Sequence, residues 1–201
     1  NEIVYNGALD DNGNPITGNA ARSRHRGVEA SLTAHAGRAL ELRGAFQWSA
    51  DRFGEYREYV DSTTTVNYSG NRIAGFPGVS GRVAAAYRVG RGRVELAVEH
   101  AGRQYLDNTQ DERKDPTARS APGYVAKTIA PWTVANAALA YRVARFLGSE
   151  STEVTFRVSN LFDRRYETAG YVDYPAPSYA PTPVWIPAAT RSYFVGLRAS
   201  L

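Results

Sequence analysis

The sequence predicts an all-β protein, an antiparallel transmembrane β-barrel segment of about eight strands. Three observations carry this prediction. Apolar residues recur at every second position in segment after segment. Tight glycine-bearing turns alternate with long polar connections. Several alternating segments exceed the usual strand length of about 5–6 residues.

Taken in order, the opening "NEIVYNG" reads as a strand caught part-way. Segment 21–34 sets Val28, Ala30, Leu32 and Ala34 against Glu29, Ser31 and Thr33. After the turn "HAGR", segment 39–52 sets Leu40, Leu42, Phe46 and Trp48 against Glu41, Arg43, Gln47 and Ser49. Segment 79–89 opposes Val79, Val83, Ala85, Tyr87 and Val89 to Ser80, Arg82, Ala84 and Arg88. The turn "GRGR" leads into 93–105, with Val94, Leu96 and Val98 against Arg93, Glu95, Glu99 and Arg103. Segment 133–143 alternates through Ala135, Ala137, Leu139, Tyr141 and Val143, and "RFLGSES" turns it back. In 152–160, Val154, Phe156 and Val158 oppose Glu153, Thr155 and Arg157. The rhythm slips at Asn160-Leu161, which predicts a bulge or bend. Segment 191–201 closes the series with Tyr193, Val195 and Leu197 against Ser192, Gly196 and Arg198.

Between the hairpins lie connections at roughly 53–77, 106–131 and 167–189, longer than the about 12–15 residues that ordinary domains tolerate without structure. Short turns on the periplasmic side and long loops outside are the habit of outer-membrane barrels. The competing reading is a soluble antiparallel β-sandwich serving as a binding module, in which one face of each sheet meets a core. The faces separate the two readings: Leu40, Leu42, Phe46, Val94, Leu96 and Val98 meet lipid in a barrel and a second sheet in a sandwich.

Composition narrows the function. The chain has no cysteine, which excludes a disulfide framework and thiolate metal sites. It also has no methionine, which suggests a fragment or a processed chain. No apolar run approaches the roughly 18 residues of a membrane helix, a test that barrels escape. The net charge is +4, with arginines spread along the whole chain, so no basic face for nucleic acid emerges. His25, His35 and His100 are far apart and lack metal spacing, no Gly-x-Ser-x-Gly elbow is present, and no cofactor is indicated. An enzyme is not expected.

"SRHRGVEASLTA" (23–34), "GNRIAGFP" (70–77), "SNLFDRRYE" (159–167) and the terminal "RSYFVGLRASL" follow one another in an order that resembles the C-terminal part of a TonB-dependent outer-membrane receptor. The ending in Ala199 and Leu201 departs from the aromatic terminus usual in that family. The resemblance implies that residues 1–201 are the last part of a barrel of about 22 strands. It implies a plug domain and a TonB-binding segment elsewhere in the receptor, both absent here. The implied activity is uptake of a bulky nutrient such as a ferric siderophore, cobalamin, haem or an oligosaccharide. The implied location is the bacterial outer membrane, with lipid, lipopolysaccharide, the plug and the TonB complex as partners.

Three groups of residues are candidates for function. Glu29, Glu41, Arg43, Arg82, Arg142 and Arg198 lie on the polar parity. They are either a wetted lumen of mixed charge or a docking ring for the plug. Arg22, Arg24 and Arg26 share the parity of Val28, so they point outward above the apolar band. There they suit the phosphates of lipopolysaccharide, or are simply solvated. A bulge at Gly27 would reverse them. Tyr171, Tyr174 and Trp185, in the last long connection, offer rigid amphipathic surface to a ligand, or pack on one another.

Overall fold

The structure, a computed structural model, describes residues 3–11, 14–19, 22–59, 63–109, 120, 122–144, 151–177 and 180–200. In chain order the strands are β1 (Ile3–Leu9), β2 (Pro15–Asn19), β3 (Arg22–Arg24), β4 (Gly27–Ala36), β5 (Leu40–Ser49) and β6 (Arg52–Glu55). There follow β7 (Arg57–Tyr59), β8 (Thr65–Asn67), β9 (Val79–Val89), β10 (Gly92–Ala101), β11 (Gln104–Tyr105) and β12 (Thr128–Ile129). The series ends with β13 (Trp132–Ala144), β14 (Ser151–Ser159), β15 (Glu167–Asp173), β16 (Thr182–Pro187) and β17 (Ser192–Ser200).

Seven of these strands form one antiparallel wall in the order β4-β5-β9-β10-β13-β14-β17. The wall is open: β4 and β17 are its two edges. Register explains the two faces. Across the middle, Leu42 lies opposite Ala85, which lies opposite Leu96, which lies opposite Ala137, which lies opposite Val158. One step along, Arg43, Ala84, Ala97, Asn136 form the other face. Period-two alternation in each strand therefore sums to one apolar and one polar surface.

The apolar surface is uncovered. Leu42, Phe46, Val94, Leu96 and Val98 are all exposed, Leu96 by 57%. Among the described residues no second sheet packs on the wall, so the sandwich reading falls. The same face carries Tyr87, Tyr141 and Tyr193.

Short turns sit at one end of the wall. Gly90 (φ 56°) takes the first central position of the two-residue turn between β9 and β10, and Gly37 (φ 63°) opens the turn after β4. Both conformations favour glycine. The third expected turn, at 145–151, has residues 145–150 outside the described residues.

Two expectations are corrected. The opening segment is not an eighth wall strand. β1 pairs with β2 and packs on β7, because Val4 is buried with Phe53, Tyr56 and Ile73 in a small core at the loop end. Nor are the long connections irregular throughout. They carry the hairpins β7–β8 and β15–β16, and one strand each of the pairs β3–β6 and β11–β12. Their valines, threonines and tyrosines are strand formers that need only a local partner. At the loop-end core, the rings of Phe53 and Tyr56 lie 4.4 Å apart and those of Tyr56 and Tyr68 6.1 Å apart.

The slip at Asn160 is a left-handed turn. Asn160 (φ 53°) and Asp163 (φ 54°) adopt a backbone that asparagine and aspartate tolerate better than other side chains. Asn160 is buried, and its side chain binds the loop on itself. Its Oδ1 accepts from Arg164 N (2.9 Å), while its Nδ2 donates to Arg164 O (2.8 Å) and Ala189 O (3.3 Å). Its own amide donates to Asn136 Oδ1 on β13 (2.9 Å). Asp163 Oδ1 accepts from Arg191 N at the start of β17 (2.8 Å). Trp132 packs at a tilt against Tyr166, ring centroids 4.7 Å apart. The segment thus ties β13, β14 and β17 together.

Candidate functional site: the polar face and the loop end

The polar face is a ladder of paired charges. Arg82 Nε donates to Glu99 Oε1 (3.2 Å), and the Arg82 guanidinium also approaches Glu95 (3.5 Å). Arg93 donates to the other oxygen of Glu95 (2.8 Å), and Asn136 Nδ2 donates to Glu99 Oε1 (3.1 Å). Arg43 pairs with Glu41 on the same strand. Arg142 stands opposite Glu153, 4.0 Å away, and Glu153 stands opposite Arg198. Ala84, Ala86 and Ala97 are buried between these side chains. Arg82 is 44% exposed and Glu99 37%, so solvent screens their pair and it contributes modestly, up to about 1 kcal/mol.

All six residues of the expected polar ring lie on this face. Arg82 is at the centre of the ladder, while Glu29 lies at one side, directly opposite Gln47. Glu99 and Asn136 were not among the candidates. They were legible only as polar-parity residues. What makes them central is the register that sets Arg82 opposite Glu99 and Ala97 opposite Asn136.

Arg22, Arg24 and Arg26 are exposed. The register keeps one offset on both sides of residues 25–26: Ser23 is opposite Phe53, Arg24 opposite Arg52 and Gly27 opposite Ser49. No bulge therefore reverses the strand at Gly27. The irregularity falls between Arg22 and Ser23, and the stem of Arg22 lies over Gly54.

The three aromatics do not form one surface. Tyr171 is opposite Val184 and Trp185 is opposite Gly170, so their side chains leave opposite faces of the β15–β16 hairpin. Trp185 Nε1 donates to Thr128 O on β12 (3.0 Å), docking one hairpin on the next. Tyr171 is exposed on the other face, and Tyr174 is half-buried just beyond β15. Gly170 permits the docking. A Cβ there would lie 2.6 Å from Val184 O and 3.0 Å from Leu106. Gly170→Ala is expected to push the hairpins apart and red-shift Trp185 fluorescence, at a cost of about 1–3 kcal/mol. An unchanged emission spectrum would refute that packing.

A polar cluster missed by sequence reasoning lies under the loops. Asn71, nearly fully buried, donates to Asn108 O (2.7 Å) and Thr109 O (2.8 Å), and Asn108 Oδ1 accepts from Ala74 N (2.9 Å). Buried Lys127 pairs with Asp107 (2.7 Å) and donates to Thr109 Oγ1 (2.8 Å). Glu58 is buried beside them, in contact with the Tyr56 hydroxyl. Burial, with the Asp107 charge added, pushes the Glu58 carboxyl up to about 7, against a smaller opposing pull from Lys127. The motif "GNRIAGFP" supplied the only signal, through Asn71 and Ile73.

An open antiparallel wall with an apolar outer face, a charged inner face and hairpins at one end is the architecture of an outer-membrane barrel wall. The comparisons agree. The family model described as TonB dependent receptor-like, beta-barrel matches residues 1–161, and the chain belongs to that family. The family is one of the bacterial outer membrane. The siderophore receptor PiuA from Acinetobacter baumannii superposes with a TM-score of 0.67 at 16% identity, over 97% of this chain and 23% of that one. The ferric yersiniabactin uptake receptor FyuA from Yersinia pestis gives 0.61 at 19% identity, over 90% and 24%. The copper transporter OprC gives 0.61 at 14% identity, over 97% and 26%. The chain therefore spans about a quarter of the length of these structures. Among curated proteins none matches it.

Proposed function

We propose that residues 1–201 are the C-terminal portion of an outer-membrane receptor barrel that takes up a bulky nutrient with energy from TonB. The plug and the TonB-binding segment belong to the rest of that receptor. The observation that carries this reading is the two-faced wall: Leu42, Phe46, Leu96 and Val98 bare on one side, the Arg82–Glu95–Glu99–Asn136 ladder on the other. The names of the structural neighbours favour a ferric siderophore or another metal chelate over cobalamin, haem or an oligosaccharide. In this reading Glu29, Glu41, Arg43, Arg82, Arg142 and Arg198 face the plug. Arg24 and Arg26, with Arg22 beside them, meet lipopolysaccharide phosphate, and Tyr171 and Tyr174 stand nearest the ligand. Trp185 instead positions the hairpin.

The test is fractionation followed by uptake. The receptor is expected in outer-membrane vesicles and extractable only with detergent. Cells carrying it are expected to accumulate a labelled ferric siderophore only while TonB is intact. Recovery of the folded chain in the aqueous fraction would overturn the reading. Within it, Glu29→Gln in the whole receptor is expected to lower uptake and weaken plug retention. Unchanged values of both would remove Glu29 from the plug-facing set.

A further inference from the structure

The polar face of the wall is uneven in charge. On β4, β5, β9 and β10 its arginines and glutamates are equal in number. On β13, β14 and β17 the described residues of this face include Arg142, Arg157 and Arg198 against one carboxylate, Glu153. Glu153 stands 4.0 Å from Arg142. On neighbouring β10, Glu95 is held by Arg82 and Arg93, and Glu99 by Arg82 and Asn136. Among the described residues no carboxylate lies within 4.0 Å of Arg157.

Beside Arg157 the alternation brings an aromatic ring onto the polar face. Phe194 has the parity of Ser192, Gly196 and Arg198, and it is 58% exposed. It lies directly opposite Arg157. Gly196 leaves room for the ring along the wall, since a Cβ there would come within 3.0 Å of it. Between this pair and the charge ladder runs a trough of about 440 Å³. Arg82 and Glu95 wall it on one side, Arg157 and Phe194 on the other, and Ala138 and Thr155 lie between. One rung of the register crosses it: Phe194, Arg157, Ala138, Glu95.

Charge and shape together define an occupant. A barrel of about 22 strands has a lumen wide enough to be plugged. Whatever fills it takes Arg157 and Phe194 out of bulk water. A guanidinium keeps its charge under such cover. Covered and unpaired it is costly, and a well-placed carboxylate offsets that cost. The described wall has no carboxylate to spare for Arg157, so the partner comes from the filling. The bare ring beside it calls for apolar contact on the same surface.

We propose that this trough seats an acidic segment of the receptor's plug, with an Asp or Glu of that segment paired to Arg157 and an apolar neighbour packed on Phe194. The inference rests on the receptor reading above and adds the chemistry of the plug surface that meets β13, β14 and β17. Arg157 sets the specificity: it attracts a carboxylate and repels a basic segment of the same shape.

The test uses the whole receptor, folded in outer-membrane vesicles. Photoreactive benzoylphenylalanine replaces Phe194, and mass spectrometry reads the peptide it joins. The expected product is an internal cross-link to a plug peptide with an Asp or Glu beside the joined position. Arg157→Glu, which sets a like charge against the segment, is expected to speed proteolysis of the plug about ten-fold or more. Arg157→Lys, which keeps the charge, is expected to stay near the wild-type rate. A cross-link to a plug peptide without a carboxylate refutes the acidic seat, as does a folded receptor with no internal cross-link. Equal plug proteolysis in Arg157→Glu and wild type refutes it too, and that arm decides if the Phe194 replacement does not fold. If Arg157→Glu lowers uptake of a labelled ferric siderophore with plug proteolysis unchanged, the trough serves the passing ligand and the proposal falls. Fractionation with the outer membrane is scored separately, so each of these failures leaves the receptor reading intact.

Discussion

Asn160→Ala is expected to destabilise the folded wall by about 2–4 kcal/mol. Two costs combine. Alanine in the left-handed region, where Asn160 sits at φ 53°, loses about 1–2 kcal/mol. The change also orphans Arg164 N, Arg164 O and Ala189 O, each of which now has a partner on the asparagine amide. Asn160→Gly separates the costs, because glycine accepts the backbone but restores no hydrogen bond. It is expected to recover about 1–2 kcal/mol of the loss. The readout is the denaturant midpoint of the receptor in detergent, followed by the gel mobility of its folded and unfolded forms. Equal midpoints for Asn160→Ala and wild type would show that the turn is held by something other than this side chain.

The second large effect concerns the apolar face. Leu96 sits in the middle of β10, flanked by Ala85 and Ala137 on the neighbouring strands, and is exposed on the outer surface. Leu96→Arg is expected to cost about 2–4 kcal/mol in a bilayer, the price of a guanidinium at mid-depth. Ser31→Arg, on the polar face of β4, is expected to cost less than about 1 kcal/mol, since that side is wet and already lined with charge. Folded fraction in lipid vesicles, measured for both variants, decides it. Similar losses for the two would mean that the faces are not lipid and lumen.

Much of the wall was legible in the sequence because period-two alternation is a local signal. Segment 79–89 coincides with β9, and 133–143 lies within β13. Segment 39–52 overran β5 at its far end, since Ala50 and Asp51 continue the parity while the chain passes into β6. The fate of the first strand was not legible. Alternation cannot say whether a strand joins a wall or a hairpin, and here the burial of Val4 against Phe53 and Tyr56 decides. How the loop aromatics are turned was not legible for a similar reason. Tyr171 and Trp185 are separated by a turn, and only the hairpin register shows that they face opposite ways. The Glu58, Asp107 and Lys127 group was invisible, because it depends on three segments distant in sequence meeting in space.

The bond from Arg191 N to Asp163 has a consequence for how the last strand finds its place. A strand that slips by two residues keeps its apolar face outward, so hydropathy alone does not reject the error. Such a slip moves every residue of β17 by about 7 Å along β14. Arg191 would then leave Asp163 and Ala189 would leave Asn160, and each of those partners would be stranded. The NLFD turn therefore acts as a proofreading key for the final strand. It distinguishes the correct alignment from slipped ones that the membrane itself would accept.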